Sequence, residues 1–309
     1  MAPLFLLHVA LLLALLAFDR FAPVTAARLG IGLDRRLSGL RRHDSQAGST
    51  SMPYLEGGSG PVIVLVHGFA GDKDNFTRAA RYLTKSYRVL IPDLPGFGEA
   101  SRDRDASYAI GDQVENLHAF LQQLGVARAH FGGNSMGGFI VAEYAARYPA
   151  EVASLWLLDA GGTAAAHSNA LFRRYMETGD MPLLMRSPTD IGPLLRACTV
   201  RPPLVPGSVL RHLGRRGAAD FALHTRIMQQ MTHSPLLEQR FTAIAAPALI
   251  VWGEQDAILD PSGAMALKAI MPNSEVVMMP GIGHLPMLEA PRKCAQAYLA
   301  FLRRIDTGS

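Results

Sequence analysis

The chain has little cysteine, no internal repeat and no low-complexity tract. Its two cysteines, Cys198 and Cys294, sit 96 positions apart with no metal-ligand spacing around them, which excludes a disulfide framework and a cysteine metal centre. They read as buried or free thiols. The missing repeat excludes a solenoid. Net charge of one sign is also missing from most of the chain. The formal charge is +4, but residues 1–45 hold six Arg and three Asp, and the remainder carries 24 basic against 23 acidic side chains. No basic surface for nucleic acid is expected from that balance, so the pI near 9.2 reflects the N-terminus alone. What is present is apolar: 49% hydrophobic and 18% charged residues over 309 positions describe a folded protein with a large core.

The N-terminus is the most apolar stretch. Pro3 to Phe18 contains one polar residue, His8. Its length lies at the lower edge of a membrane span. A cleaved signal peptide is the competing reading, with Val24-Thr25-Ala26 as the cleavage site. No Lys or Arg precedes the apolar run, and the basic residues follow it. This favours a retained anchor with the rest of the chain on the cytoplasmic side. Residues 28–42 then set Leu29, Ile31, Leu33, Leu37 and Leu40 among Arg28, Arg35, Arg36, Arg41 and Arg42. Such a segment suits an amphipathic helix on an anionic lipid surface or, equally, a solvated basic linker. The expected plan is a hydrophobic anchor or signal at 1–26, a linker at 27–51 and a catalytic domain at 52–309.

From Pro61 onward, short apolar runs alternate with helical patterns. Pro61–His67 and Tyr87–Ile91 read as fully buried strands, and the stretch before Ser135, Val152–Leu158, Ala248–Trp252 and Glu275–Met279 as further strands. Ile110–Leu124 and Met136–Tyr148 read as helices. This alternation predicts a mainly parallel, doubly wound α/β sheet, in which ligands bind at the carboxyl ends of the strands. Residues 161–242 break the rhythm. They are rich in Pro, Gly, Arg and Met, including Met176, Met181, Met185, Met228 and Met231, and are expected to form a helical cap over the strand ends. The methionines suit an adaptable acyl pocket or, individually, an ordinary cap core.

Gly133-Asn134-Ser135-Met136-Gly137 reads G-x-S-x-G between an apolar stretch and a helical pattern. In that context a serine sits on a sharp strand-to-helix turn that needs small neighbours. A serine hydroxyl is a weak nucleophile and needs a base, itself oriented by a carboxylate. Where the serine lies on such a turn, the chain order is Ser, Asp or Glu, then His. Ser135, Asp256 and His284 follow that order, and the last two lie just past strands ending at Trp252 and Met279. Asp159, at another strand end, is the fallback acid, whereas Asp260 suits a cap. Among ten histidines, His67 and His130 are the nearest rivals to His284, and both read as structural. The oxyanion needs two backbone N–H donors. Met136, after the serine, and Phe69, in the loop after the first buried strand, are the candidates, and the Phe69 ring is expected to face the acyl pocket.

Taken together, His67-Gly68-Phe69, Asp93-Leu94-Pro95-Gly96-Phe97-Gly98, Gly133-Asn134-Ser135-Met136-Gly137-Gly138, Trp252-Gly253-Glu254-Gln255-Asp256 and Gly283-His284 resemble the α/β-hydrolase superfamily over residues 52–305. Within it the chain is similar to membrane-anchored monoacylglycerol lipases and related bacterial lipases. The stretches carrying that likeness are His67 to Asp74, Ile110 to Val114, Trp252 to Ala264, Glu289 to Lys293 and the apolar N-terminus. The resemblance implies ester hydrolysis of acylglycerols through an acyl-enzyme, with Phe69, Met136 and Leu285 against the substrate and with neither metal nor organic cofactor. Carbon–carbon bond hydrolases share the elbow but carry an aromatic residue after the histidine, where Leu285-Pro286 stand here. A catalytically silent binding module of the same fold would need none of the three triad residues.

Overall fold

A computed structural model of the chain describes residues 2–47 and 50–307. Eight strands form the central sheet: β1 (Leu40–His43), β2 (Tyr54–Gly57), β3 (Val62–Val66), β4 (Arg88–Pro92), β5 (Ala129–Asn134), β6 (Val152–Leu158), β7 (Ala248–Gly253) and β8 (Ser274–Met279). Their spatial order is β1-β2-β4-β3-β5-β6-β7-β8. The β1–β2 and β2–β4 pairs are antiparallel, and every pairing from β4 to β8 is parallel. The inner strands Ile63–Val66, Leu155–Leu158 and Leu249–Trp252 are almost fully buried, as strands covered on both faces must be. Helices α3 (Thr77–Leu83), α4 (Ile110–Gln123), α5 (Met136–Arg147), α11 (Gly263–Ile270), the short α12 (Pro286–Glu289) and α13 (Pro291–Thr307) complete the αβ alternation. The Tyr298 ring of α13 stacks on Trp156 of β6 with centroids 4.7 Å apart.

The cap lies between β6 and β7 and is helical: α6 (Ala170–Thr178), α7 (Ile191–Cys198), α8 (Gly207–Ala219), α9 (Phe221–Thr232) and α10 (Leu237–Arg240). Met181 and Met228 are cap-core residues, Met176 is exposed, and of the cap methionines only Met185 borders the central cavity.

The N-terminus departs from the expected plan. Ala2–Phe21 (α1) and Pro23–Leu37 (α2) are separate helices that meet at Ala22, so the boundary placed at residue 26 falls inside α2. Pro23 explains the break: it has no N–H for α1 to use, and it suits a first helical turn. The supposed linker is largely regular structure. α2 packs on cap helix α8, and Leu40–His43 pairs with Tyr54–Gly57, so the sheet begins at Leu40. Apolar side chains of α1 and α2, including Leu4, Phe5, Leu13, Leu16, Phe21, Leu29 and Leu37, are exposed. Among the described residues no single helix is long and apolar enough to cross a membrane. Leu7–Phe21 and Pro23–Leu37 reach that length and hydropathy only as a pair bent by 116°.

Candidate active site

Ser135 stands between β5 and α5 with φ 55° and ψ −118°, a conformation that costs a non-glycine residue about 1–3 kcal/mol. The turn is tight because strand and helix nearly touch. A Cβ on Gly133 would lie 2.3 Å from the Gly137 carbonyl, and one on Gly137 would lie 2.2 Å from the Val66 carbonyl. The two glycines of the motif therefore answer to backbone packing. The Ser135 amide donates to the Leu158 carbonyl at 3.0 Å, which ties the elbow to the end of β6.

His284 follows β8 and Asp256 follows β7. The imidazole Nδ1 lies 2.8 Å from Asp256 Oδ2, and both side chains are buried. Asp256 Oδ1 accepts from the amides of Ile258 and Leu259 at 2.8 and 3.0 Å, so the carboxylate is fixed from both oxygens. With Nδ1 committed to the carboxylate, Nε2 is free to take a proton from a substrate-side hydroxyl. Ser135 and His284 line one cavity of about 380 Å³. Among the described residues no hydrogen bond joins them, and in apo structures such bonds are often long.

Residues outside the candidate triad hold this loop. Asn134, beside the serine, donates from Nδ2 to the carbonyls of Leu158 (3.0 Å) and His284 (3.1 Å). The His284 amide donates to the Cys198 carbonyl of the cap at 2.8 Å. Glu289 accepts from Gly283 with one carboxylate oxygen and from Val200 and Arg201 with the other. The histidine is thus braced by the elbow, the cap and the following helix together.

The other candidates separate clearly. His67 is buried; its Nδ1 donates to the Gly68 carbonyl at 2.8 Å and its Nε2 accepts from Leu94 at 3.1 Å, so it shapes the loop beneath Phe69. His130 pairs with Ser154 across β5 and β6. Asp260 Oδ1 accepts from the Ser262 amide in the turn before α11. Asp159 lies beside the pair: ligand atoms of Asp159, Asp256 and His284 all fall within 4.8 Å of one another. Burial, then the neighbouring Asp256, push the Asp159 carboxyl well above the usual range. That direction favours the neutral form of Asp159, and it is the Asp256 carboxylate that meets His284 Nδ1.

The cavity is mainly apolar. Phe69 and Leu285 border it, along with Leu194, Leu213 and Val209 of the cap, whereas the Met136 side chain is buried outside it. Met136 is the first residue of α5, where helix N–H groups have no partner within the helix, and its side chain is not part of the cavity lining. Gly30, Ile31, Leu33 and Leu37 of α2 also line the cavity. This wall is not visible in the sequence, because nothing local in residues 23–37 shows what that helix packs against.

His224 of α9 is buried over the Phe69 and Phe97 rings, with its Nε2 donating to the Gly96 carbonyl at 3.3 Å. Burial pushes its pKa down to about 4, so the ring is neutral in the folded protein. The unfolded value is about 6.5, so this contribution to stability is complete above pH ~6.5 and is lost as pH falls toward 4. The expected result is that wild type loses about 2 kcal/mol more unfolding free energy than His224→Phe between pH 7 and pH 5, read from urea titrations at each pH. Equal losses would place the acid sensitivity elsewhere.

Comparison with known proteins agrees with this architecture. The family described as alpha/beta hydrolase fold matches residues 61–183. The chain is 40% identical to Lipase 1 of Psychrobacter immobilis over 262 residues, covering 82% of this chain and 81% of the relative. It is 29% identical to the monoacylglycerol lipase ABHD6 of Bos taurus, over 81% of this chain and 77% of that one. A crystal structure described as a membrane phospholipase A, a novel bacterial virulence factor, superposes with a TM-score of 0.89 at 41% identity over 99% of both chains. An eight-stranded sheet in this order, a serine on a strained strand-to-helix turn and a lipase relative matched over four-fifths of its length lead to one assignment: the chain belongs to the α/β-hydrolase superfamily.

Proposed function

We propose that the protein is a serine carboxylester hydrolase of the lipase and monoacylglycerol lipase kind, cleaving lipid esters through an acyl-enzyme on Ser135. One observation carries this reading. A strained serine and an imidazole paired with a buried carboxylate open onto the same apolar cavity. His284 takes the Ser135 proton as Oγ attacks the ester carbonyl, and Asp256 supports the imidazolium. The amides of Phe69 and Met136 stabilise the oxyanion. His284 then returns the proton to the leaving alcohol, and a water molecule, activated by the same base, releases the fatty acid. Phe69 and Leu285 hold the acyl chain. The reaction draws on neither a metal nor an organic cofactor.

The same reading places the protein at a membrane. The exposed apolar side chains of α1 and α2, the arginines that follow and the lipase likeness favour association through the N-terminal segment, with the catalytic domain facing the cytoplasm. Leu285-Pro286 after the histidine and the lipase relative at 40% identity weigh against carbon–carbon bond hydrolysis.

A substrate panel tests the proposal. Purified protein in detergent micelles is offered monoacylglycerols, a diacyl phospholipid and a vinylogous diketone. Turnover of the acylglycerols with release of free fatty acid is the expected outcome. Turnover of the diketone alone would replace the lipase reading with the carbon–carbon one, and turnover of none would favour a binding module.

A further inference from the structure

The loop that carries Phe69 runs directly into Asp72-Lys73-Asp74, and each of these side chains is tied to a different part of the molecule. Asp72 is buried and accepts from Arg216 Nη2 of cap helix α8 at 2.5 Å. Lys73 is also buried. Its backbone amide donates to Asp93 Oδ1 at 2.7 Å and its Nζ to Asp93 Oδ2 at 2.6 Å, on the loop after β4. Asp74 accepts a two-pronged pair from Arg35 of α2, Nε to Oδ1 at 2.7 Å and Nη2 to Oδ2 at 2.6 Å. Three consecutive residues thus fasten the cap, the sheet and the N-terminal helix to one point, three to five positions after Phe69.

The near end of this loop is strained. Ala70, the next residue after Phe69, has φ 58°. A non-glycine residue keeps such a conformation only where its surroundings hold it. Upstream, His67 Nδ1 holds the Gly68 carbonyl, and Gly71 closes a turn onto the same carbonyl at 3.1 Å. Downstream, the Asp72 side chain caps the Asp74 amide at 2.9 Å, and the two arginines set where that short turn sits. A forked guanidinium–carboxylate pair fixes direction as well as distance, which a lysine would not do. Arg35 is largely screened from solvent, with 16% of its side chain exposed, so the pair is held in one geometry.

We propose that Arg35 is a positioning residue: through Asp74 it couples the docking of the N-terminal helix α2 to the placement of the Phe69 amide, so turnover at Ser135 depends on α2 being seated. This inference rests on the reading of Ser135 and Phe69 given under Proposed function. Its consequence is regulatory. The helix that follows the apolar α1 both walls the cavity and clamps the loop of the proposed oxyanion donor, so a surface that holds α1 and α2 also sets the rate.

The test uses the full chain with Arg35→Met, Arg35→Lys, Asp74→Asn and the Arg35→Met/Asp74→Asn pair, assayed on a short-chain nitrophenyl ester. A misplacement of about 1 Å at a reacting group costs up to ~10²-fold, so a loosened loop is expected to lower kcat about tenfold in Arg35→Met and Asp74→Asn. KM is expected to stay within about threefold, because ground-state binding is little changed. The double variant is expected to be no slower than either single one, and Arg35→Lys to recover part of the loss. Thermal unfolding of all four separates this from a folding defect. Wild-type kcat in the single variants, or losses that multiply in the double one, would overturn the coupling. A change confined to KM for long-chain esters would also overturn it and leave α2 as a cavity wall. Failure of the underlying reading looks different: wild-type protein itself would then not react with a fluorophosphonate.

Discussion

Ser135→Ala is expected to lower kcat for ester hydrolysis by at least ~10³-fold while leaving the protein folded, because removing the nucleophile of such a unit does so in serine proteases. The substitution deletes one oxygen. Among the described residues that oxygen makes no hydrogen bond, so its loss leaves no buried partner unsatisfied. The backbone strain at φ 55° is the same for alanine as for serine, and the close glycine contacts around the turn are untouched. A thermal midpoint within a few degrees of wild type is therefore the control that makes the kinetic result interpretable. Some rate above the uncatalysed reaction is expected to survive from the backbone amides and from binding in the cavity. A fluorophosphonate should label wild type on the peptide containing Ser135 and should not label the variant. Near-wild-type hydrolysis by well-folded Ser135→Ala protein would remove Ser135 from the mechanism.

The parts of this molecule that were legible in the sequence are those whose physics is local. An inner strand covered on both faces is apolar along nearly its whole length, so Val152–Leu158 stands out unaided and Ala248–Gly253 differs from expectation by one residue; Ser274–Met279 also differs by one residue, although as the edge strand it buries only its two ends. The elbow was legible because Gly133 and Gly137 each answer to a carbonyl closer than any Cβ permits. What stayed hidden depends on partners far along the chain. Leu40–His43 reads as part of a basic linker because three of its four side chains are exposed, and only pairing with Tyr54–Gly57 makes it a strand. The Cys198 carbonyl under His284 and the Glu289 brace on Val200 join residues 86 and 89 positions apart through backbone atoms that every residue possesses, and the α2 wall packs on a cap helix that begins 170 positions after α2 ends. The candidate site was therefore visible as residue types in order, while the scaffolding that gives it geometry was not.

Asp256→Asn is expected to lower kcat by about 10⁴-fold, as the equivalent change does in a serine protease where the amide enforces the wrong imidazole tautomer. Here the Nδ1 contact at 2.8 Å is the one at stake. An asparagine can still accept from Ile258 and Leu259 through its Oδ1, so its amide group would face the imidazole and donate where the carboxylate accepted. Nδ1 must then accept, Nε2 carries the proton, and the base is no longer free. Asp159→Asn is the matched comparison, because Asp159 also ends a strand and lies in the same cluster. Its Oδ1 accepts from the Gly253 amide at 2.8 Å, which an asparagine oxygen does equally well. Its carboxyl is pushed toward the neutral form by burial and by Asp256, so an amide is a close electrostatic substitute. Asp159→Asn is accordingly expected to keep kcat within about tenfold of wild type. Measuring both variants on one ester across pH 6 to 9 decides between the carboxylates. A collapse in Asp159→Asn with Asp256→Asn left active would move the acid to the end of β6, and equal collapse in both would mean that the two carboxylates act as a single coupled group.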